Sequence, residues 1–226
     1  MRKFLIFFSL ICLLSRPALA SEPPKYIALT FDDGPSGRFT QALLDGLEAR
    51  NVRATFFLCG YRLETYGDLA AKIRSQGHEI GLHGYSHDSM ASMSGSAITS
   101  ELAQTRALLP SGTLVNLLRT PGGQQTDTIR QCAQEANLAL VHWSLDPKDW
   151  ATRDRELVFH KIVEQAQDGD VILLHDMSDS SVQAALQAVD ALQRQGYQFL
   201  TVSQLAMLRL THLRSGESFS SFAPQA

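Results

Sequence analysis

The feature that most constrains the fold is an alternation of short apolar segments with helical patterns along most of the chain. Seven segments of strand length begin near residues 26, 54, 79, 114, 138, 170 and 197. Between the first two, Phe39, Leu43, Leu44 and Leu47 recur at helical spacing. Strands that alternate with helices form a parallel sheet covered on both faces. The sequence therefore predicts an α/β fold, either a barrel or a doubly wound sheet, with seven parallel strands.

The first twenty residues have the pattern of an export signal. Arg2 and Lys3 are positive, residues 4–14 form an apolar core, and Ala18-Leu19-Ala20 is a small-residue cleavage site. Because a bilayer span needs about 20 apolar residues, this run favours a cleaved signal over a membrane anchor. We therefore expect a signal peptide at residues 1–20 and a protein that is secreted or periplasmic, with no membrane anchor after cleavage.

Composition bounds the remaining organisation. Without an internal repeat or linker, residues 21–214 are predicted to form one domain, followed at 215–226 by a flexible tail with little to bury. The 226 residues include 20 basic and 23 acidic ones, and a nucleic-acid partner would require a basic face instead. Export permits a disulfide between Cys59 and Cys132, but two buried free thiols are an equal alternative. The sequence leaves the oligomeric state open.

Polar side chains collect where the predicted strands end. In parallel sheets these ends meet at one edge, which is where ligands bind in barrels and in doubly wound sheets. The groups at five strand ends are Asp32 and Asp33, His83 and His87, Arg119, Asp149 with Trp150, and His175. Acids, imidazoles and an arginine delivered to one edge indicate a metal-assisted catalytic site.

The two adjacent acids precede Gly34 and Pro35, so the stretch taken alone is also explained as turn chemistry. Adjacent side chains on an extended backbone diverge, which allows Asp32 to accept a proton while Asp33 binds a metal. His83 and His87 are four residues apart and lie on one face if the segment turns once after its strand. With Asp33 they form a two-histidine, one-carboxylate set, which suits zinc or another borderline divalent ion. Accidental spacing of surface histidines is the alternative.

Further groups at the same edge have candidate roles. His175 follows a buried strand, which favours proton transfer over a purely structural histidine. Arg119 is a candidate ion-pair partner of Asp32. Trp150 and Leu173 are candidates to wall a small pocket, with core packing as the alternative. The remaining histidines lack such neighbours and are interpreted as incidental: His78, His142, His160 and His212.

With these motifs in order, the chain resembles the polysaccharide deacetylase family, whose domain is the NodB homology domain of the carbohydrate esterases. The resemblance covers about residues 25–208, and residues 30–35 match the first family motif in full. It implies a distorted barrel with fewer than eight βα units and an acetylated polysaccharide as substrate.

The resemblance also implies roles for the site residues. Asp33, His83 and His87 would hold a divalent ion, most often zinc, with cobalt possible. Asp32 would be the general base, oriented by Arg119. His175 would be the general acid, tuned by Asp149. Trp150 and Leu173 would receive the acetyl methyl group, and the Gly122 N–H would help to stabilise the oxyanion.

Two residues depart from the family pattern. Gly84 stands where the family usually has Ser or Thr, so a hydroxyl that could brace the metal loop is absent, although Ser86 is a candidate substitute. Gly122 stands where the family often has an aromatic residue, which opens the groove wall. The predicted reaction is removal of N-acetyl groups from sugars in peptidoglycan or chitin-like polymers. The alternatives are an O-acetyl esterase on xylan, a hydrolase of a muramic-acid amide, a sugar-binding protein without catalysis, and a purely structural metal site.

Overall fold

The computed structural model describes residues 23–224, so the predicted signal peptide at 1–20 lies outside the described residues. The eight strands of the described chain are β1 Lys25–Gly34, β2 Thr55–Leu58, β3 Glu79–Leu82, β4 Leu117–Leu118, β5 Ala139–Val141, β6 Val171–His175, β7 Tyr197–Phe199 and β8 Ser218–Phe219. The seven helices are α1 Arg38–Ala49, α2 Gly60–Ser75, α3 Gly95–Ala107, α4 Asp127–Glu135, α5 Arg155–Gln165, α6 Asp179–Arg194 and α7 Val202–Leu208.

The strands form one curled parallel sheet. Its order is β6-β1-β2-β3-β4-β5-β8, while β7 pairs with the first residues of β1. After β5 the chain returns to the opposite edge, where Leu145 bridges Ile172 of β6. The sheet therefore curls back on itself. The predicted distorted barrel with seven parallel strands is confirmed, with β8 added at the edge.

Alternation along β1 separates two cores. Ile27, Leu29 and Phe31 pack in the large cluster that includes buried residues of the surrounding helices. Ala28 belongs instead to a cluster with inward residues of other strands, α7 and Phe222. Because successive side chains on a strand point to opposite faces, Thr30 and Asp32 lie on the Ala28 side. The barrel interior thus leads from an apolar N-terminal end to polar groups at the carboxyl ends of the strands.

Five of the seven described helices begin where a hydroxyl or carboxylate side chain accepts a hydrogen bond from a backbone N–H group. Such caps precede α3 to α7, and they are Ser94, Thr126, Asp154, Ser178 and Thr201. Each cap satisfies one donor of the first turn and ends the preceding loop at a defined residue.

The C-terminal segment differs from the flexible tail expected from its composition. Ser218 and Phe219 pair in parallel with β5, and Phe222 is 3% exposed. The composition of the tail did not indicate that Phe219 and Phe222 would pack. Their rings are stacked, with centres 6.1 Å apart. This segment therefore extends the sheet beyond the predicted domain boundary at residue 214.

Smaller differences concern the middle of the chain and the thiols. The segment predicted as a strand over 114–118 is paired only at Leu117–Leu118, and Leu114 is 92% exposed. Cys59 and Cys132 are both buried and free, so the two-thiol alternative holds. Over residues 23–224, no helix combines the length and apolarity needed to cross a membrane.

Candidate active site

An open pocket of about 430 Å³ lies at the carboxyl ends of the strands. The residues that line it are Asp32, Asp33, His83, His87, Gly122, Trp143, Asp146, Lys148, Trp150, Leu173 and His175. Eight of these were singled out from the sequence. The other two candidates, Arg119 and Asp149, are 0% and 3% exposed, and each contacts a residue that lines the pocket.

A bulge in β1 separates the two acids. Asp32 pairs with Phe57 of β2 and Gly34 with Leu58, so Asp33 is an extra residue in the register. Its φ is 69°, a left-handed conformation that is uncommon outside glycine. This conformation turns Asp33 into the pocket, while Asp32 keeps the inward direction set by the strand. Such strained backbone is frequent at functional sites.

Three potential ligand atoms converge on one point. The Oδ1 atom of Asp33 lies 3.2 Å from His83 Nε2 and 3.0 Å from His87 Nε2. The Nδ1 of His83 lies 2.7 Å from the Arg119 carbonyl oxygen, which can only accept, so Nδ1 carries the proton and Nε2 a lone pair. Asp33 Oδ1 is buried without a hydrogen-bond partner of acceptable geometry.

A divalent cation fits this donor set. One ligand atom each from Asp33, His83 and His87 lies within 4.8 Å of the others. Burial raises the pKa of Asp33, but His83 and His87 lower it well below its ordinary value. The neighbouring Asp33 carboxylate raises the pKa of His87 against the effect of burial, and a bound cation would take the place of the proton that this carboxylate favours. His87 is partly exposed towards the pocket, which leaves an open side for water and substrate.

Asp32 is held by a fully buried arginine. Arg119 Nη1 donates to Asp32 Oδ1 at 2.8 Å and to the Thr30 hydroxyl at 2.6 Å. Its Nε and Nη2 donate to the carbonyl oxygens of Val141 and His142 at 3.0 and 2.7 Å. The guanidinium also lies 4.2 Å from the centre of the Phe57 ring. These contacts fix the Asp32 carboxylate and leave its Oδ2 facing His83 Nε2 at 3.9 Å.

His175 is oriented by Asp149. Its Nδ1 lies 2.8 Å from Asp149 Oδ1, and its backbone N–H donates to Asp149 Oδ2 at 2.8 Å. Nε2 is therefore directed towards the pocket, 3.9 Å from Asp33 Oδ2. Burial lowers the pKa of His175, but the Asp149 hydrogen bond and the nearby carboxylates outweigh it and raise the pKa to about 9. The imidazole can thus carry a proton at neutral pH.

The apolar wall combines one exposed and one buried side chain. Trp150 is 61% exposed, whereas Leu173 is 4% exposed and still lines the pocket. Gly122 has a φ of 66°, and a Cβ built there meets no atom within 4 Å. The wall beside Gly122 is therefore open, as its lack of a side chain suggested.

Several residues that line the pocket or join the loops beside it were not singled out from the sequence. Lys148 and Trp143 line the pocket, and both belong to the segment that follows β5. Gln124 joins two loops, since its Oε1 accepts from the Ala91 N–H at 3.0 Å and lies 3.0 Å from the Ser89 hydroxyl. Position after a strand could have identified the first two residues, but no local pattern indicates Gln124, because its contacts are with residues more than thirty positions away.

The remaining histidines lie apart from the donor set. His78 Nδ1 accepts from the Ala54 N–H at 3.1 Å, and His160 lies 3.4 Å from Glu164 on the surface of α5. His142 contributes only its backbone carbonyl, which accepts from Arg119.

The curled parallel barrel, with acid, base and metal-donor groups at the carboxyl ends of its strands, places the chain among the α/β-barrel enzymes. Within this class the chain belongs to the polysaccharide deacetylase family, whose profile matches residues 20–141.

Relatives of known name agree with this membership. The chain is 36% identical over 194 residues to a peptidoglycan-N-acetylglucosamine deacetylase of Bacillus cereus, covering 83% of this chain and 90% of the relative. It is 35% identical over 183 residues to the peptidoglycan-N-acetylmuramic acid deacetylase PdaC of Bacillus subtilis. That match covers 80% of this chain but 38% of PdaC, so the chain corresponds to a part of that larger protein.

A solved structure shares the fold. A family 4 acetyl xylan esterase of Clostridium thermocellum, in complex with a cobalt ion, superposes with a TM-score of 0.81 at 30% identity. The superposition covers 87% of this chain and 98% of the esterase.

Proposed function

We propose that this protein is a secreted, metal-dependent deacetylase that hydrolyses the N-acetyl group of N-acetylglucosamine-type sugars in peptidoglycan or chitin-like polymers. The observation that carries the proposal is the convergence of Asp33, His83 and His87 between a fixed carboxylate, Asp32, and a protonatable imidazole, His175. A site that only binds sugar requires neither group beside the donor set.

The donor set would hold zinc, with cobalt as the alternative, through Asp33 Oδ1, His83 Nε2 and His87 Nε2. Bound there, the cation would polarise the acetyl carbonyl and acidify a water molecule. The ligand types match catalytic zinc sites, where three protein ligands leave a position open. The proposal of a purely structural ion is less well supported, because the donor set faces an open pocket.

Asp32 would take the proton from the attacking water. Its Oδ1 is occupied by Arg119, so Oδ2 is the atom available for the proton. Arg119 orients the carboxylate and balances its charge inside the barrel. His175 would donate a proton from Nε2 to the departing amine, while Asp149 holds Nδ1 and stabilises the protonated ring.

The pocket walls would position the acetyl group. The methyl group would lie between Trp150 and Leu173, and the Gly122 N–H would donate to the developing oxyanion. The open space beside Gly122 leaves room for the neighbouring sugar of a polymer.

A second candidate function uses the same site on a different acetylated substrate. The acetyl xylan esterase from Clostridium thermocellum shares the fold at a TM-score of 0.81, which supports O-acetyl ester hydrolysis as the alternative. The name of PdaC similarly supports a muramic-acid amide as substrate. The xylan alternative changes the bond from an amide to an ester, and the muramic-acid alternative changes the sugar that carries the amide. The roles of Asp32 and His175 stay the same in both.

We also propose that residues 1–20 are a cleaved export signal and that the domain acts outside the cytoplasm. The positive residues, apolar core and small-residue cleavage site of the sequence support this. The polymers named for the relatives support the same location, since peptidoglycan lies outside the cytoplasmic membrane.

The experiment that tests the function compares substrates side by side. Purified protein with zinc or cobalt is incubated with chitooligosaccharides, peptidoglycan fragments and acetylated xylan, and acetate and product masses are measured. We expect acetate release from the first two, and none from the Asp33→Ala variant. Release only from xylan would replace the amide by the ester as the substrate. No release from any N-acetylated sugar would refute the proposal.

A further inference from the structure

The loop between the two histidine ligands is clamped from two sides. The carbonyl oxygens of Gly84 and Tyr85 accept from the N–H groups of Gly60 and Tyr61, at the start of α2, both at 3.0 Å. From the opposite side, a single carboxylate oxygen accepts the loop's donors. Helix α3 supplies this oxygen from Glu101.

Three donors meet Glu101 Oε2. The Tyr85 N–H donates at 2.7 Å, the Ser86 N–H at 2.8 Å and the Ser86 hydroxyl at 3.1 Å. Two consecutive backbone amides on one carboxylate oxygen fix the peptide planes between Gly84 and Ser86. Hydrogen bonds to a charged acceptor are about twice as strong as neutral ones.

The space around Gly84 explains why this brace comes from a helix. Gly84 has a φ of 82°, and a Cβ built there would lie 2.8 Å from Met90 Cε and 3.2 Å from Glu101 Oε2. A serine or threonine at this position would therefore meet both side chains. The Ser86 hydroxyl lies on the carboxylate, so it contributes to the brace that Glu101 organises.

The two ligands differ in how much they depend on this loop. The N–H of His83 donates to the Leu58 carbonyl at 2.9 Å, and its ring donates to the Arg119 carbonyl. His87 has a φ of 67° and a side chain that is 43% exposed, and it follows the loop directly. The position of its Nε2 relative to Asp33 is thus set by the backbone of residues 84–86.

We infer that Glu101 is a positioning residue that holds the His83–His87 loop in the geometry needed to bind a divalent cation. The inference rests on the proposed metal site. Supporting groups around metal ligands typically change metal affinity by about 10- to 100-fold when they are removed.

Two substitutions separate the effect of the length of the Glu101 side chain from the effect of its charge. Glu101→Asp keeps the charge but withdraws the carboxylate by one methylene, so we expect zinc affinity to fall by about 10- to 100-fold. Glu101→Gln keeps the reach and an acceptor oxygen, so we expect a loss below about fivefold, with the three bonds weakened but present. If Glu101 acted instead through long-range attraction to the cation, Glu101→Gln would lose more zinc affinity than Glu101→Asp.

Glu64→Gln is the matched control. Glu64 is an acid that also contacts Tyr85, but it accepts at 2.6 Å from the phenol hydroxyl instead of the backbone. We expect wild-type zinc affinity for this variant.

The measurements are zinc affinity by competition with a chelator, the visible spectrum of the cobalt-loaded protein, and amide hydrogen exchange of residues 84–88 in the metal-free protein. Glu101→Asp should alter the cobalt spectrum and accelerate exchange in the loop, and Glu101→Gln should do neither strongly. If Glu101→Asp does not fold, Glu101→Met takes its place as a variant of similar length without an acceptor.

Wild-type affinity and spectrum in Glu101→Asp would overturn the inference, as would equal losses in the Asp and Gln variants. Failure of the wild-type protein to bind zinc or cobalt would instead refute the proposed metal site. The two failures are therefore distinguishable.

Discussion

The two ends of the barrel use polar side chains in opposite ways. At the N-terminal end of the strands, Glu79 accepts from the Thr55 hydroxyl at 2.8 Å and from the Ser203 N–H at 3.2 Å. Asp168 accepts from the Tyr26 N–H at 2.7 Å and forms an ion pair with Arg209. Both acids are matched by donors there, and their contacts join β1, β2 and β3 to α7 and to the loop before β6.

At the carboxyl end the acceptors outnumber the donors. Asp33 Oδ1, His83 Nε2 and His87 Nε2 face one another, and the acidic groups Asp32 and Asp149 lie nearby. Matched groups favour folding, whereas unmatched acceptors favour a ligand that brings positive charge. The carboxyl end therefore has the unmatched acceptors that the proposed cation would need, while the N-terminal end supports the fold.

The largest effect should come from removing the proposed base at the carboxyl end. For Asp32→Asn we expect turnover to fall by about 10²- to 10⁴-fold, because the amide cannot take a proton. The Asn oxygen can still accept from Arg119, and zinc affinity should stay near wild type. Acetate release and zinc titration on the same preparation check both. Undiminished turnover would show that the two ends do not differ as described.

Arg119 should be the exception that sharpens the comparison, because it stabilises the carboxyl end itself. Arg119→Leu would leave Asp32 and two buried carbonyls without their donor, so we expect the free energy of unfolding to fall by about 3 to 5 kcal/mol. Urea unfolding measures this. Arg119→Lys keeps the charge but not the forked contacts. Its free energy of unfolding should lie between those of the wild type and the Leu variant. A change below about 1 kcal/mol in the Leu variant would contradict this account.

The part of the pH dependence of stability that His78 contributes should report on the N-terminal end. Burial, followed by the charge of Arg53, lowers the pKa of His78 from 6.5 to about 4. Between these values the unfolded chain binds a proton that the folded protein does not, so stability falls as the pH falls from about 6.5 to about 4. Below about pH 4, where the folded protein also binds this proton, the total loss of unfolding free energy is about 3 kcal/mol.

His78→Asn tests this contribution, because its side-chain oxygen can still accept from the Ala54 N–H without titrating. We expect the difference in unfolding free energy between wild type and variant to change with pH in that window. A difference that is constant from pH 4 to 7 would exclude a buried neutral His78.

The smallest effect should come from a matched acceptor at the N-terminal end. Glu79→Ala removes the partner of Thr55 and Ser203, and we expect a loss of about 1 to 2 kcal/mol in unfolding free energy with turnover unchanged. Glu79→Gln keeps one acceptor and should lose less. Chemical unfolding and acetate release measure the two quantities. If turnover falls by more than the folded fraction does, Glu79 affects catalysis, and the proposed division of roles between the two ends is wrong.

Most of the fold could be predicted because strands and helices have different periods. The apolar run through Leu29 and Phe31 and the spacing of Leu43, Leu44 and Leu47 are local patterns that burial enforces. Strand β8 could not be predicted in this way. Ser218 and Phe219 become a strand only because the edge of β5 is available to pair with them.

The candidate site follows the same division. Residues at strand ends could be chosen from the sequence, because parallel strands bring their carboxyl ends to one edge. The bulge at Asp33 and the contacts of Gln124 and Glu101 carry no local signal, since each depends on a partner far along the chain.

By itself, the sequence determined which residues meet at the edge of the sheet: Asp32, Asp33, His83, His87, Arg119 and His175. The tertiary structure decided what each can do there. Arg119 occupies Asp32 Oδ1, Asp149 occupies His175 Nδ1, and the Arg119 carbonyl occupies His83 Nδ1. The reason is physical: chemical type belongs to the residue, but the atom left free to react depends on which of its neighbours are already bonded.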